Sequence, residues 1–116
     1  MRVERELMRG AGPVAVLKLL ETGPRYGYEL LTSIKESTGG VLAMGQSTLY
    51  PLLYNLEAQG LIRARWQDAP SGRRRKYYSL TAKGKRRLST STAQWLALVR
   101  AMRGLRILPE AGGATA

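Results

Sequence analysis

The sequence contains no cysteine and no histidine. Disulfides, zinc sites of the Cys/His type, thiol or imidazole nucleophiles and histidine acid–base catalysis are therefore excluded. It also lacks any apolar run approaching the roughly 20 residues that span a bilayer. Its N-terminus, "MRVERELMRG", is charged where a secretory leader would be apolar. No internal repeat is found. At 116 residues the chain is one small domain, too short for a large enzyme core. These absences lead to the expectation of a cytoplasmic protein that is not an enzyme, holds no metal or cofactor and has no membrane partner.

What the chain has in excess is positive charge, a net of +11 with a pI near 10.7. The excess is local. Residues 1–60 carry six Lys/Arg and six acids, whereas residues 61–87 carry ten Lys/Arg against Asp68 alone, a net of +9. Residues 88–116 add only +2. A field concentrated in one short segment is the mark of a face for an acidic partner, nucleic acid first. The hydrophobic fraction of 44% is ordinary for a folded chain.

The opening dozen residues read as either a frayed arm or a short helix. "PVAVLKLLETG" reads as a first helix, with Pro13 in its first turn and Gly23 as its stop. In "GPRYGYELLTSIKESTGG" Tyr26, Leu30, Leu31 and Ile34 form the apolar stripe of a second helix that Gly39 and Gly40 end. "VLAM" is either a small strand or a linker. "QSTLYPLLYNLEAQG" is a third helix, capped by Ser47 or Thr48, with Leu49, Leu52, Leu53 and Leu56 at helical spacing. Its polar side holds Thr48, Tyr50, Tyr54 and Asn55.

From Leu61 the period changes to two. Ile62, Ala64 and Trp66 alternate with Arg63, Arg65 and Gln67, then "DAPSG" supplies a turn, and Tyr78 and Leu80 alternate with Tyr77 and Ser79. The result is a β-hairpin with Arg73, Arg74, Arg75 and Lys76 at its tip. A long amphipathic helix follows, capped by Thr81 and striped with Leu88, Trp95, Val99 and Met102; the tail "PEAGGATA" reads as disordered. The fold class is α+β, mainly α: a winged helix-turn-helix with a C-terminal dimerisation helix. The expected division is a DNA-binding domain over residues 1–82, with its wing at about 61–82, a dimerisation helix over 83–108, and a tail over 109–116.

Three stretches carry a resemblance. "GPRYGYEL", "STLYPLLYNLEAQGLI" and "SGRRRKYYSLTAKG" resemble, in order and at suitable spacing across residues 23–84, the successive signatures of the PadR family of bacterial transcriptional regulators. The resemblance implies a dimer built by the last helix, a recognition helix at 47–59 and a wing at 61–81. It further implies repression of a neighbouring detoxification, efflux or phenolic-acid gene, with release by a small molecule. The single C-terminal helix is similar to that of the short members. Pro13, near the expected start of the first helix, is a departure.

The candidate DNA contacts are Gln46, Ser47, Thr48, Tyr50, Pro51, Tyr54 and Asn55 on the third helix and Arg73, Arg74, Arg75 and Lys76 on the wing, with Arg65 and Lys83 in support. A basic run is often only a solvated loop, and helix-start hydroxyls are often only caps, but here the two lie beside each other. Tyr26 and Tyr28 read as structural, pinning the second helix. Leu88, Trp95, Leu96, Val99 and Met102 are the candidate dimer interface. Trp95 and Val99 are candidates for stacking a planar aromatic effector across the two-fold axis. The expected partners are double-stranded DNA bearing a pseudo-palindromic operator, a second copy of the chain, and a small planar ligand. The rival reading is an interaction protein whose winged helix binds a protein or RNA without reading an operator.

Overall fold

The computed structural model describes residues 1–110, so the expected tail falls mostly outside the described residues. The elements run α1 (Arg5–Leu20), β1 (Arg25–Tyr26), α2 (Gly27–Ser37), α3 (Gln46–Ala58), β2 (Ile62–Asp68), β3 (Arg74–Leu80) and α4 (Ala82–Gly104). No helix among the described residues is long and apolar enough to cross a membrane.

α1 begins eight residues earlier than Pro13, which therefore lies inside the helix rather than in its first turn. Proline costs an internal helix one hydrogen bond. Burial of Gly12, Val16, Leu17 and Leu20 on the core side supplies the tertiary packing that outweighs it. The charged opening is thus helix, and its approach is tied down where the Val3 amide donates to the Val41 carbonyl at 3.0 Å. "VLAM" forms turns and is a linker.

The sheet has three strands in the order β1-β3-β2, all antiparallel, not the expected two. The added strand is two residues long, pairing Arg25 with Tyr78 and Tyr26 with Tyr77. Arg25 holds it to the helices: its guanidinium donates to the Leu19 carbonyl at 3.2 Å, to Ser33 Oγ at 2.9 Å and to Thr22 Oγ1 at 3.3 Å. Partners across β2 and β3 share a face, and the pairs Ile62 with Leu80 and Ala64 with Tyr78 close over the core. The alternation fails at Trp66, which is 60% exposed because the hairpin by then has run past the helices.

The core joins Val16, Leu17 and Leu20 to Leu30 and Ile34, to Leu49, Leu53 and Leu56, and to Leu61, Ile62, Tyr78 and Leu88. Each full aliphatic burial is worth roughly 1.5–3 kcal/mol. No charged or polar side chain is fully buried among the described residues.

α4 starts as expected, with the Gly84 amide donating to Thr81 Oγ1 at 3.0 Å. Gly84 is there for clearance. A Cβ on it would collide with the Leu61 carbonyl oxygen and press on Leu80. At 23 residues α4 is about 34 Å long. The radius of gyration, 16.0 Å, exceeds the roughly 13 Å of a compact chain this size, as a projecting helix requires.

Candidate nucleic-acid interface

α3 turns Leu49, Leu53 and Leu56 into the core and leaves Gln46, Ser47, Thr48, Tyr50, Pro51, Tyr54 and Asn55 exposed. The helix begins at Gln46 after Gly45, and no side chain caps it. Ser47 and Thr48 are therefore first-turn residues and not caps, which frees their hydroxyls. Thr48, Pro51 and Asn55 also line an open groove of about 590 Å³ shared with α1 and α4, whose other walls include Met8, Leu17 and Arg87. Ser47, Pro51, Tyr54 and Ala58, spaced four, three and four apart, form one exposed strip. Tyr54 is 72% exposed.

Tyr50 is braced. Its phenol lies over the start of α2, where a Cβ added to Gly27 would stand 2.5 Å from the Tyr50 oxygen. Only glycine at 27 lets α2 and α3 approach this closely. On the same flank Tyr78 is buried, and that burial, helped by the Glu57 carboxylate and then Tyr50, raises its pKa above the usual phenol value.

The four cations of the hairpin have unlike surroundings. The tip closes through hydrogen bonds from the Ala69 amide to the Arg73 carbonyl at 2.7 Å and from the Gly72 amide to the Ala69 carbonyl at 2.9 Å. Arg73 belongs to this tip and is exposed. Arg74 is exposed too, its Nε 3.8 Å from Asp68 Oδ1, a pair too solvated to hold it firmly. Arg75 folds back, its guanidinium carbon 4.3 Å from the Tyr26 ring centre. The Tyr26 and Tyr77 rings meet edge to face at 5.5 Å. Lys76 Nζ lies 5.7 Å from the Tyr78 ring centre. Arg73 and Arg74 are thus the outermost charges, while Arg75 and Lys76 join the tip to the body by cation–π contact. Arg63 and Arg65 add charge on β2, where Arg63 and Arg65 are exposed.

Lys83, a candidate supporter of the DNA contacts, also joins α4 to the end of α3. Its Nζ donates to the Gln59 carbonyl at 2.7 Å, and Arg87 donates to Gln59 Oε1 at 3.3 Å. Cations crowd the start of α4, where its own dipole disfavours them, but these two lie at the C-terminal end of α3, where the opposite pole favours them. Tyr26 does pin the head of α2, its amide donating to Glu29 Oε1 at 3.1 Å, whereas the Tyr28 side chain is exposed and its carbonyl accepts from Thr32 Oγ1 at 3.0 Å.

On α4, Leu88 is 4% exposed within its own protomer and has almost no surface left for a partner. Trp95, Val99 and Met102 are half-buried, and Leu96 is exposed. Leu98, Leu105, Ile107 and Leu108 extend the exposed apolar surface beyond the residues the sequence pattern singles out. Leu98 borders the Trp95–Met102 stripe at a spacing of three and four, whereas Leu105, Ile107 and Leu108 lie beyond the end of α4, where helical periodicity no longer selects them. Periodicity misses Arg25 and Gly84 because clearance and backbone capping leave no repeat in the sequence.

Residues 16–90 match the family model of the PadR-like transcriptional regulators. An uncharacterised protein of Lysinibacillus sphaericus is 33% identical over 93 residues, covering 80% of this chain and 85% of that protein. Among solved structures, a Streptococcus transcriptional regulator is 35% identical with a TM-score of 0.79, over 89% of this chain and 99% of that one. A PadR family transcriptional regulator from Eggerthella lenta is 39% identical with a TM-score of 0.74, over 86% of this chain and 85% of that one. A PadR family transcription regulator from Clostridium difficile is 27% identical with a TM-score of 0.72, over 80% and 95%. An exposed helix face beside a basic hairpin, in a chain matched over most of its length, leaves one assignment: the protein belongs to the PadR-like family of transcriptional regulators, winged-helix proteins that bind DNA and are not enzymes.

Proposed function

We propose that the chain acts as a homodimeric repressor of a nearby detoxification or efflux gene. Residues 1–82 bind a pseudo-palindromic operator, and residues 83–108 join the two protomers. The observation that carries this reading is the placement of an uncharged, exposed α3 surface beside a hairpin in a segment of net charge +9. Gln46, Ser47, Thr48, Tyr50, Pro51, Tyr54 and Asn55 face the major groove, and Arg73 and Arg74, backed by Arg75 and Lys76, meet flanking phosphates. The apolar residues Trp95, Leu96, Val99 and Met102 on a helix that outreaches its own domain support the dimer. In it, Trp95 and Val99 of the two copies lie near the two-fold axis and stack a planar aromatic effector.

An electrophoretic mobility assay with the DNA upstream of its own gene tests the repressor. The expected result is a retarded complex that outcompetes random duplex and weakens steeply with salt. The absence of any preference over random duplex counts against operator recognition. Titration with planar cationic dyes, read by tryptophan emission, tests the effector site; unchanged emission with DNA binding intact removes it.

A further inference from the structure

The groove between α1, α3 and α4 has a chemistry that neither the wing nor the α4 stripe uses. Its volume of about 590 Å³ falls within the roughly 300–1,000 Å³ of small-molecule sites. Met8, Leu17, Met44, Leu52, Leu56 and Leu61 give it an aliphatic lining, and among the described residues no aromatic side chain joins them. The two methionines carry flexible thioethers that adapt to an irregular guest. The charged part of the lining is of one sign. Arg5, Arg9 and Arg87 line the same groove, and no Asp or Glu does. Arg5 and Arg9 lie four apart on α1 and so share a face, while Arg87 comes from α4. All three are exposed. Among the described residues Arg5 and Arg9 join no ion pair, and Arg87 donates to an uncharged partner, Gln59 Oε1. An apolar trough with three uncompensated cations suits a guest that covers the one and neutralises the other.

We propose that this groove is a binding site, one in each protomer, for an amphipathic anion with an aliphatic body, of the class of medium-chain carboxylates. The chain covers the methionines and leucines, and the carboxylate accepts from the arginines at the mouth. The aliphatic lining sets this guest apart from a planar aromatic stacked at Trp95. The groove also reaches along α4 only to Ser91, about one turn short of that residue. Position couples the site to DNA. Thr48, Pro51 and Asn55 line this groove and also belong to the α3 surface proposed above to face the major groove. A guest lying against them and a duplex compete for the same side chains, so each weakens the other by the same factor. That coupling rests on the operator reading; the binding site itself does not.

The test is calorimetric titration of the full-length, DNA-free protein with decanoate, alongside decan-1-ol and decyltrimethylammonium, which keep the chain and change the charge. Decanoate saturates at one per protomer and binds about tenfold or more tighter than decan-1-ol, while the cation does not bind. Arg5→Gln with Arg9→Gln brings decanoate close to the affinity of decan-1-ol. Met8→Trp, which fills the groove from α1, weakens both, with the circular dichroism spectrum retained. Decan-1-ol bound as tightly as decanoate, or full decanoate affinity in both variants, overturns the site. In a mobility assay decanoate releases the wild-type protein from duplex DNA and releases Met8→Trp less. A DNA complex that persists at saturating decanoate overturns the coupling. Saturable decanoate binding by a protein that prefers no duplex over another leaves the site standing and removes operator recognition instead.

Discussion

The β2–β3 hairpin and helix α4 both start inside the body and end outside it, yet they carry different chemistry outward. The near half of the hairpin buries Ile62 and Tyr78, and its far half ends in Arg73 and Arg74. The near half of α4 buries Gly84 and Leu88, and its far half carries Trp95, Leu96, Leu98 and Leu105. One projection is hydrophilic and positive, and water and counterions cover it until a polyanion replaces them. The other exposes a row of apolar side chains, the kind of surface that marks an interaction site. The contrast separates two kinds of partner by physics alone, and it can be broken piece by piece.

The largest effect is expected where both bases meet. Gly84→Ala drives a methyl into the Leu61 carbonyl and Leu80, at the junction of α4 with the hairpin. Because backbone blocks the way, a loss of about 3 kcal/mol or more is expected, lowering Tm by roughly 10 °C or more in thermal unfolding. Next come changes that should damage one projection and spare the other. Trp95→Ala should raise the dimer dissociation constant about 30-fold or more by sedimentation, while the circular dichroism spectrum is retained. The matching change on the hairpin, Arg73→Ala with Arg74→Ala, should leave assembly untouched. It should flatten the log–log salt dependence of DNA binding by about 0.9 for each phosphate that is no longer neutralised. Arg75→Ala should flatten it less and cost about 0.5–1 kcal/mol of stability, because its guanidinium no longer covers the Tyr26 ring.

The smallest effect concerns the anchored half of the hairpin. Burial raises the Tyr78 pKa above its unfolded value near 10, so the folded state holds that proton more tightly. The resulting stability is fully present below about pH 10 and is lost as pH rises through the folded pKa. Denaturant unfolding at alkaline pH should show this decline, and Tyr78→Phe should flatten it. An unchanged slope in that variant would place the titration elsewhere.

How far the sequence discloses this molecule depends on whether an element is specified locally or by its neighbours. The leucines of α3, the two-residue alternation from Ile62 to Ala64 and the Thr81 cap are local patterns, and the structure carries them as read. Local rules favour Pro13 at a helix start, whereas packing of Val16 and Leu17 overrides that preference. Ser47 and Thr48 look like caps until Gly45 is seen to hold the position. β1 owes its existence to Tyr77 and Tyr78, far along the chain. In the candidate site the residue types are legible, but their inequality is not. That Arg75 leans on Tyr26 while Arg73 stands exposed is decided by the register of a strand the sequence does not announce.

The joint at Gln59–Leu61 has a mechanical consequence. Four hydrogen bonds cross it: Lys83 and Arg87 hold Gln59, and Thr81 holds the Gly60 and Leu61 carbonyls. The C-terminal end of α3 is thereby tied to the first turns of α4, and the two helices form the arms of a bent lever. From Arg87 to Gly104 the long arm measures about 25 Å, so a swing of about 4 Å at its far end turns the elbow by about 10°. In the proposed dimer, the spacing of the far ends of two such arms would set the pitch at which the two short arms meet the double helix.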